Sequence, residues 1–178
     1  MSGYAHQNTP AGTSFYLVPA NPRVSVRDFE FLEYAALARD ALVSQGYVAA
    51  PSADAAKLGI LLAYGIGDPR TSAVTTTTTQ PDPNAAWQMP AQSWSQTHTT
   101  HFRYASFHAI DLVRYRAQLA AGESDPTPEM VWQLEVQSRG TSSDLRQVFP
   151  ILLKAAAPYF GRNTGQAISF EIVDDSSW

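Results

Sequence analysis

Residues 25–47, SVRDFEFLEYAALARDALVSQGY, carry the clearest helical pattern in the chain. Ser25 and Asp28 have the spacing of a capping box. In this motif the serine side chain accepts a hydrogen bond from a helix amide, and the carboxylate accepts one from the serine amide. Gly46 can supply the left-handed residue that ends a helix. Apolar residues recur at helical spacing, at Phe31, Ala35, Ala38 and Leu42. The pattern therefore predicts a helix that packs one face inward.

An apolar segment lies on each side of this helix. Residues 13–20, TSFYLVPA, are typical of a short strand that ends near a proline. After the helix, the apolar run between Pro51 and the pair Gly65 and Gly67 is typical of a buried strand. Strand, helix and strand in this order form a parallel crossover unit, so we expect two parallel strands linked by the helix.

Two further strands are predicted downstream, over residues 103–113 and 129–136. The polar loop AAGESDPTP separates them, and a separation of this kind favours antiparallel neighbours. Alternate residues of a strand point to the same side. The apolar face of the second strand is therefore predicted to consist of Met130, Trp132, Leu134 and Val136.

The carboxyl-terminal part predicts one more helix and one more strand. The helix is expected over residues 142–160, stopped by Gly161. Pro150 removes an amide donor inside it, so a kink or break is expected there. Residues 166–174, QAISFEIVD, alternate in hydrophobicity and predict the last strand.

The predicted element order is thus β-α-β-β-β-α-β. One mixed sheet with two helices packed on one face satisfies it, which places the chain in the α/β (α+β) class. A chain of 178 residues is expected to form a single domain over 1–178, with its folded core over 13–173.

Residues 71–100 do not fit a compact domain, because they are a long Thr-rich insertion between two strands. Consecutive threonines are β-branched and compatible with a strand, and the PDPN sequence is a turn signal. One interpretation is a projecting β-ribbon. The alternative is a disordered loop, because a tract with little apolar content has no burial to offset the entropy of ordering.

Composition excludes some function classes. Lysine and arginine total 12 against 16 aspartates and glutamates, so the net charge of −4 offers no basic field for nucleic acid. The chain contains no cysteine, which excludes disulfides and thiolate chemistry. No signal-peptide pattern or membrane-spanning apolar run occurs, so we expect a soluble protein whose compartment is left open.

No constellation of catalytic residues is recognisable in the sequence. His98, His101 and His108 are close in sequence, but residues three or seven apart on a strand point to opposite faces, and the first and last would lie about 33 Å apart. Nucleophile-elbow, dinucleotide and phosphate-loop signatures do not occur. We therefore expect no catalytic residue, no metal site and no cofactor, and a protein that is not an enzyme.

The turn at 138–146, SRGTSSDLR, has two interpretations. Thr141 and Asp144 match a second capping box, which would satisfy the helix donors internally. The alternative is an anion site flanked by Arg139 and Arg146 at a helix start. The capped helix is favoured, because a bound anion would compete with the Asp144 carboxylate.

Several short motifs together resemble the bacterial cell-envelope (lipoprotein-like) domain of unknown function 4136 family, over roughly residues 13–160. They are the FYLVPA strand, the SQGY helix end, the ADAAKLGI segment, Trp132 followed by SRG, and the VFP sequence in the last helix. Members are typically periplasmic proteins or lipoproteins of Gram-negative bacteria without an assigned activity. The resemblance implies structural roles for Asp54, Lys57, Trp132 and Pro150, and it carries over no catalytic residue. This chain lacks the lipid-acceptor cysteine and the signal sequence.

The functional expectation is a non-catalytic binding or assembly module of the cell envelope, periplasmic or associated with the outer membrane. Its partner would be an envelope protein, a glycan or a second copy of the chain, with a membrane reached only through a lipid anchor that this chain does not contain. A competing hypothesis is a carbohydrate-binding module that stacks Trp87 and Trp94 on sugars. An uncharacterised enzyme and a cytoplasmic location are also compatible with the sequence.

Overall fold

The computed structural model describes residues 1–5, 9, 11–78 and 92–168. Within them the chain forms seven strands, three α-helices and one 3₁₀ helix. The strands are β1 (Ser2–Ala5), β2 (Ser14–Pro19), β3 (Val48–Ala49), β4 (Leu58–Ile66), β5 (Arg70–Thr78), β6 (Gln92–Asp111) and β7 (Met130–Gly140). The helices are α1 (Phe29–Ser44), α2 (Leu112–Ala120) and α3 (Leu145–Ala156), followed by the 3₁₀ helix Ala157–Tyr159.

The main sheet has the strand order β1-β7-β6-β4-β2-β3, and β5 pairs with the amino-terminal half of β6. β2 runs parallel to β4, its partner across α1, as the strand-helix-strand pattern predicts. β4, β6, β7 and β1 then pair antiparallel in succession. The predicted mixed α+β fold is therefore confirmed, and its sheet is open.

One face of this sheet carries the core. Leu62, Phe107 and Leu134 form a row across three neighbouring strands, and all three side chains are buried. α1 and α3 contribute to the same buried cluster. The buried residues of α1 are the predicted stripe with Tyr34 added, namely Phe31, Tyr34, Ala35, Ala38 and Leu42. The helical spacing thus identified the inward face correctly.

α1 begins at a different cap from the predicted one. The side chain of Asp28 accepts bonds from the amides of Glu30 and Phe31, at 3.0 and 3.2 Å. Ser25 instead accepts a bond from the amide of Arg27, within the turn before the helix. The prediction of a Ser25 cap was wrong, because a carboxylate at the N-cap also interacts favourably with the helix dipole. Gly46 has φ +90° and follows the helix as expected.

α3 is shorter than predicted and continues through Pro150 without a break. The ring of Pro150 is exposed, so the carbonyl that loses its helical donor can bind water. The cap is Asp144, whose Oδ1 accepts a bond from the amide of Arg146 at 2.9 Å. The predicted Thr141 cap was therefore wrong. Gly161, at φ +66°, follows the final turn as expected.

Four described elements were absent from the predicted order, namely β1, β3, β5 and α2, although β5 lies in the segment for which a ribbon was one interpretation. α2 begins at Asp111, whose side chain accepts bonds from the amides of Val113 and Arg114. It has no buried residue, so no apolar stripe revealed it. The two helices predicted on one face correspond to α1 and α3.

The predicted last strand, 166–174, lies mostly outside the described residues. Residues 164–168, which include the described start of that predicted strand, run along the outer edge of β1. Met1 and Ile168 exchange two backbone bonds of 3.0 and 2.8 Å, and the amide of Thr164 donates to the carbonyl of Gly3 at 3.0 Å. The described part of this segment therefore extends the pairing beyond β1.

Candidate functional site

A two-stranded ribbon extends from the main sheet, formed by β5 and the amino-terminal half of β6. We call residues 70–78 and 92–100 the threonine ribbon. Its register runs without interruption from the pair Arg70 and Thr100 to the pair Thr78 and Gln92. Nine residues in each strand give it a length of about 27 Å. The backbone thus forms a ribbon in the described part of the Thr-rich segment.

The described side chains of the ribbon reach solvent on both faces. Residues 70–75 and 95–99 are all exposed. The hydroxyls of Thr71 and Thr99 lie 3.4 Å apart across the strands, and Thr100 Oγ1 donates to the carbonyl of Arg70 at 3.4 Å. The ribbon carries one arginine, one histidine and no carboxylate. Its surface is therefore polar, with very little formal charge.

Both long edges of the ribbon are unpaired within the part of the chain that the structure describes. β5 pairs with β6 alone, and residues 92–100 of β6 pair with β5 alone. In an antiparallel pair, the amides and carbonyls on the outer edges point away from the partner strand. Such edges can bind another extended strand through the backbone. The geometry is that of a strand-binding surface.

The two tryptophans predicted for sugar binding fall in or beside this ribbon. Trp94 belongs to β6 and is in register with Thr76. Trp87 lies outside the described residues, in the interval between the ribbon strands. The roles of both side chains in binding stay predictions.

Arg139 and Arg146, the two arginines of the predicted anion site, lie in different layers. Arg139 is exposed and in register with Phe102, on the sheet face opposite the core. Arg146 is on α3, where its Nε lies 3.1 Å from Oε1 of Glu33 on α1. The sheet separates the two guanidinium groups, so the structure does not bring them together.

The turn between β7 and α3 is organised by a third arginine that the sequence reading missed. Arg103 is 7% exposed and lies on the core side of β6. Its Nε donates to Oγ of Ser138 at 3.1 Å, and its Nη1 donates to the carbonyl of Ser142 at 3.1 Å. The guanidinium lies directly over Gly140, where a Cβ would approach Nη1 to 3.0 Å. The Arg103 guanidinium therefore lies in the turn where the sequence suggested an anion site.

The histidines do not form a shared site. His98 is exposed on the ribbon, and His101 is in register with Gly140. His108 lies seven residues further along β6, with its Nε2 3.0 Å from the hydroxyl of Ser106. Among the described residues no group of three or more His, Asp or Glu side chains is close enough to hold a metal ion.

Two tyrosines between the sheet and the helices have raised pKa values. The Tyr34 and Tyr64 rings lie 4.4 Å apart, and both rings contact Phe149. Burial, followed by the negative charge of Glu30, raises the pKa of both hydroxyls, that of Tyr64 to about 12. The ring contacts with Phe149 give both tyrosines a packing role at the helix-sheet interface.

Comparisons with known proteins give little beyond this geometry. The chain matches no family model and no curated protein sequence. A crystal structure of a PDZ domain protein from Parabacteroides distasonis is similar with a TM-score of 0.42 and 13% sequence identity. The match covers 85% of this chain and 33% of that one, so the chain spans about a third of that protein's length. None of the helices in the described residues has the length and hydrophobicity to cross a membrane.

Proposed function

We propose that the protein is a non-catalytic assembly module of the bacterial cell envelope and that the threonine ribbon pairs with the same ribbon of a second copy. The observation that carries this proposal is the pair of unpaired edges in the described part of the ribbon. The envelope location rests on the resemblance of the sequence motifs to the cell-envelope family. The unpaired edges support strand pairing as the mode of contact.

Physical chemistry favours a third or fourth strand on this ribbon. Isolated two-stranded ribbons are marginally stable in water, and further strands satisfy more backbone donors and acceptors. Threonine is well suited to strands and has a hydroxyl that can bond across them. Because the ribbon carries almost no charge, two copies can approach without strong repulsion.

A single lysine on the ribbon tests this proposal. Val74 is 56% exposed on β5, so Val74→Lys should not disturb the core. Charged side chains on edge strands oppose further pairing. In sedimentation velocity, the wild-type protein should show concentration-dependent association, and Val74→Lys should be monomeric at the same concentrations.

The matched control is Val113→Lys on α2, where the valine is 51% exposed. This variant has the same change in charge and should associate like the wild type. A wild-type protein that is monomeric at every concentration would refute the proposal. Equal association of wild type and Val74→Lys would show that the contact lies elsewhere.

A further inference from the structure

Two aromatic rings lie side by side on the sheet face opposite the core. Phe102 and Tyr104 stand on β6 on either side of Arg103, which is buried toward the core. Their rings are nearly parallel, with 23° between the planes and 6.1 Å between the centroids. Both side chains are partly exposed. We call this pair the aromatic platform.

Glycines beside β6 make room for these rings. Gly65 is in register with Tyr104, and a Cβ on Gly65 would lie 3.0 Å from the Tyr104 hydroxyl and 3.1 and 3.2 Å from two of its ring carbons. A Cβ on Gly67 would lie 3.2 Å from Cδ1 of Phe102. The far end of Tyr104 thus reaches over the facing residue of β4, so this side chain lies across the sheet surface rather than projecting from it.

The face around the platform is open. α1 and α3 contribute to the core cluster on the other face of the sheet. Leu112, the first residue of α2, covers Gly59 at the opposite end of β4, where a Cβ would lie 3.2 Å from its side chain. The residues of β7 beside the platform are exposed, so none of the described helices covers them; they are Glu135, Gln137 and Arg139.

These three residues form a polar row along one side of the platform. Gln137 is in register with Tyr104, and Arg139 is in register with Phe102. Facing residues of an antiparallel pair lie about 5 Å apart, so the polar groups and the rings share one surface. Nε2 of Gln137 donates to Oε1 of Glu135 at 2.6 Å. The same amide has a second N–H and a carbonyl oxygen with which it can both donate and accept.

The charges of this surface select a neutral ligand. Glu135 and Arg139 lie two residues to either side of Gln137 and carry opposite charges. An anion would be repelled by the carboxylate, and a cation would be repelled by the guanidinium. Nucleic acid also stacks on aromatic side chains, but the net charge of −4 disfavours it.

We infer that the aromatic platform binds a neutral β-linked glycan. In a β-linked glucose chain the ring substituents are equatorial, so each sugar unit has two apolar C–H faces. Such faces stack on Phe102 and Tyr104, and the nearly parallel rings can hold successive units of one chain. The sugar hydroxyls then bond to the polar row, which supplies both donors and acceptors.

Cellohexaose and sorbitol test the inference. Cellohexaose is a chain of flat glucose rings, whereas sorbitol carries similar hydroxyls on an open chain without an apolar face. In ¹⁵N-edited NMR of the wild-type protein, cellohexaose should produce saturable shifts of the Phe102 and Tyr104 amides. It should also shift the side-chain amide of Gln137, assigned with Gln137→Leu. Sorbitol at a matched concentration of hydroxyl groups should produce no saturable shift.

Two matched pairs of variants identify the groups involved. Tyr104→Ala should weaken cellohexaose binding roughly tenfold or more, whereas Phe29→Ala, at a 91% exposed position of α1, should bind like the wild type. Gln137→Leu should weaken binding roughly tenfold, whereas Gln45→Leu, at an exposed position after α1, should not. Because Gln137 is exposed, its variant should keep the wild-type melting temperature and decide the question even if Tyr104→Ala is less stable.

Three results would overturn the inference. The first is the absence of a saturable shift with cellohexaose, and the second is an equal response to sorbitol. The third is unchanged binding by Gln137→Leu together with shifts confined to the threonine ribbon, which would place the glycan there instead. Val74→Lys, which tests ribbon pairing, should bind cellohexaose like the wild type, so self-association and glycan binding can fail independently.

Discussion

Arg103 lies at an inward-facing position of β6, where its neighbours at two-residue spacing, Ala105 and Phe107, are buried apolar residues. A buried guanidinium is retained only where hydrogen bonds compensate its lost hydration. Ser138 and the carbonyl of Ser142 provide such bonds from the strand and turn that follow. One residue thus links β6 to β7 and to the turn that leads into α3.

The start of α3 is also decided by a single residue. We expect Asp144→Ala to lower the free energy of unfolding by about 1 kcal/mol, because Asp144 accepts the Arg146 amide at the N-cap. Thr141→Ala, at an exposed position without a described cap bond, should change it by less than about 0.5 kcal/mol. Urea denaturation of both variants measures the difference. Equal losses in free energy of unfolding would indicate that Thr141 caps the helix.

Gly161 and Gly165 allow backbone strain to be separated from steric overlap. Both have positive φ, at +66° and +68°, but only at Gly161 would a Cβ overlap another side chain. Gly165→Ala should cost about 1 kcal/mol from strain, and Gly161→Ala about 1–3 kcal/mol more from displacing Tyr47. Chemical denaturation should show this order, and equal costs would mean that Tyr47 moves freely.

At the scale of elements, α2 is attached chiefly by the side chain of Arg116, since none of its residues is buried. Arg116 donates from Nη1 to the carbonyls of Ala53 and Asp54, at 2.9 and 2.8 Å, and from Nη2 to that of Ala56 at 2.8 Å. These bonds connect the helix to the turn that precedes β4. None of the residues of α2 is buried, so the helix contributes no buried stripe to the core.

Two arginines of α2 should therefore contribute unequally to the free energy of unfolding. Arg116→Ala should lower the free energy of unfolding by about 1–3 kcal/mol, because three carbonyls lose a charged donor. Arg114→Ala removes only an exposed ion pair with Glu129, so its cost should stay below about 1 kcal/mol. Thermal and urea unfolding of the two variants and the wild type measure these losses. Equal losses in free energy of unfolding would contradict this account.

At the scale of the whole molecule, the main sheet and its two core helices form a complete unit without the threonine ribbon. Most core residues come from β2, α1, β4, the carboxyl-terminal half of β6, β7 and α3, and Tyr47 and Phe160 join them from the segments after α1 and after the 3₁₀ helix. None of the described core residues belongs to residues 70–78 or 92–100. The described side chains of the ribbon, at residues 70–75 and 95–100, therefore take no part in the packed core.

Replacing residues 75–95 with Asn-Gly should leave this unit folded. Val74 and Gln96 are in register, so a two-residue hairpin turn can join them directly. A shorter loop also has a lower closure entropy. The melting temperature should stay within a few degrees of wild type, about the shift expected for 1 kcal/mol or less. A collapse of the melting temperature would show that Trp87 or Trp94 packs in the core.

The amino-acid sequence by itself determined the β2-α1-β4 crossover, the inward face of α1, and the glycines that follow α1 and α3. On β7 it identified Trp132, Leu134 and Val136 correctly, but the prediction of Met130 on the same buried face was wrong, because Met130 is 40% exposed beside the irregularity in the β6-β7 register. These features depend on periods of 3.6 and 2 residues and on local backbone conformation, which neighbouring residues specify. Cap positions were less accurate, because Ser25 and Thr141 match the same pattern as the aspartates that cap the helices.

Only the tertiary structure decided where the isolated polar side chains lie. Arg103, Arg116 and Tyr47 each act on segments far away in sequence, and no local pattern encodes such contacts. Thr9, Tyr47 and Gly161 come together because the segment after α3 packs against the end of α1. Burial and directional hydrogen bonding between distant segments, rather than periodicity, created these sites.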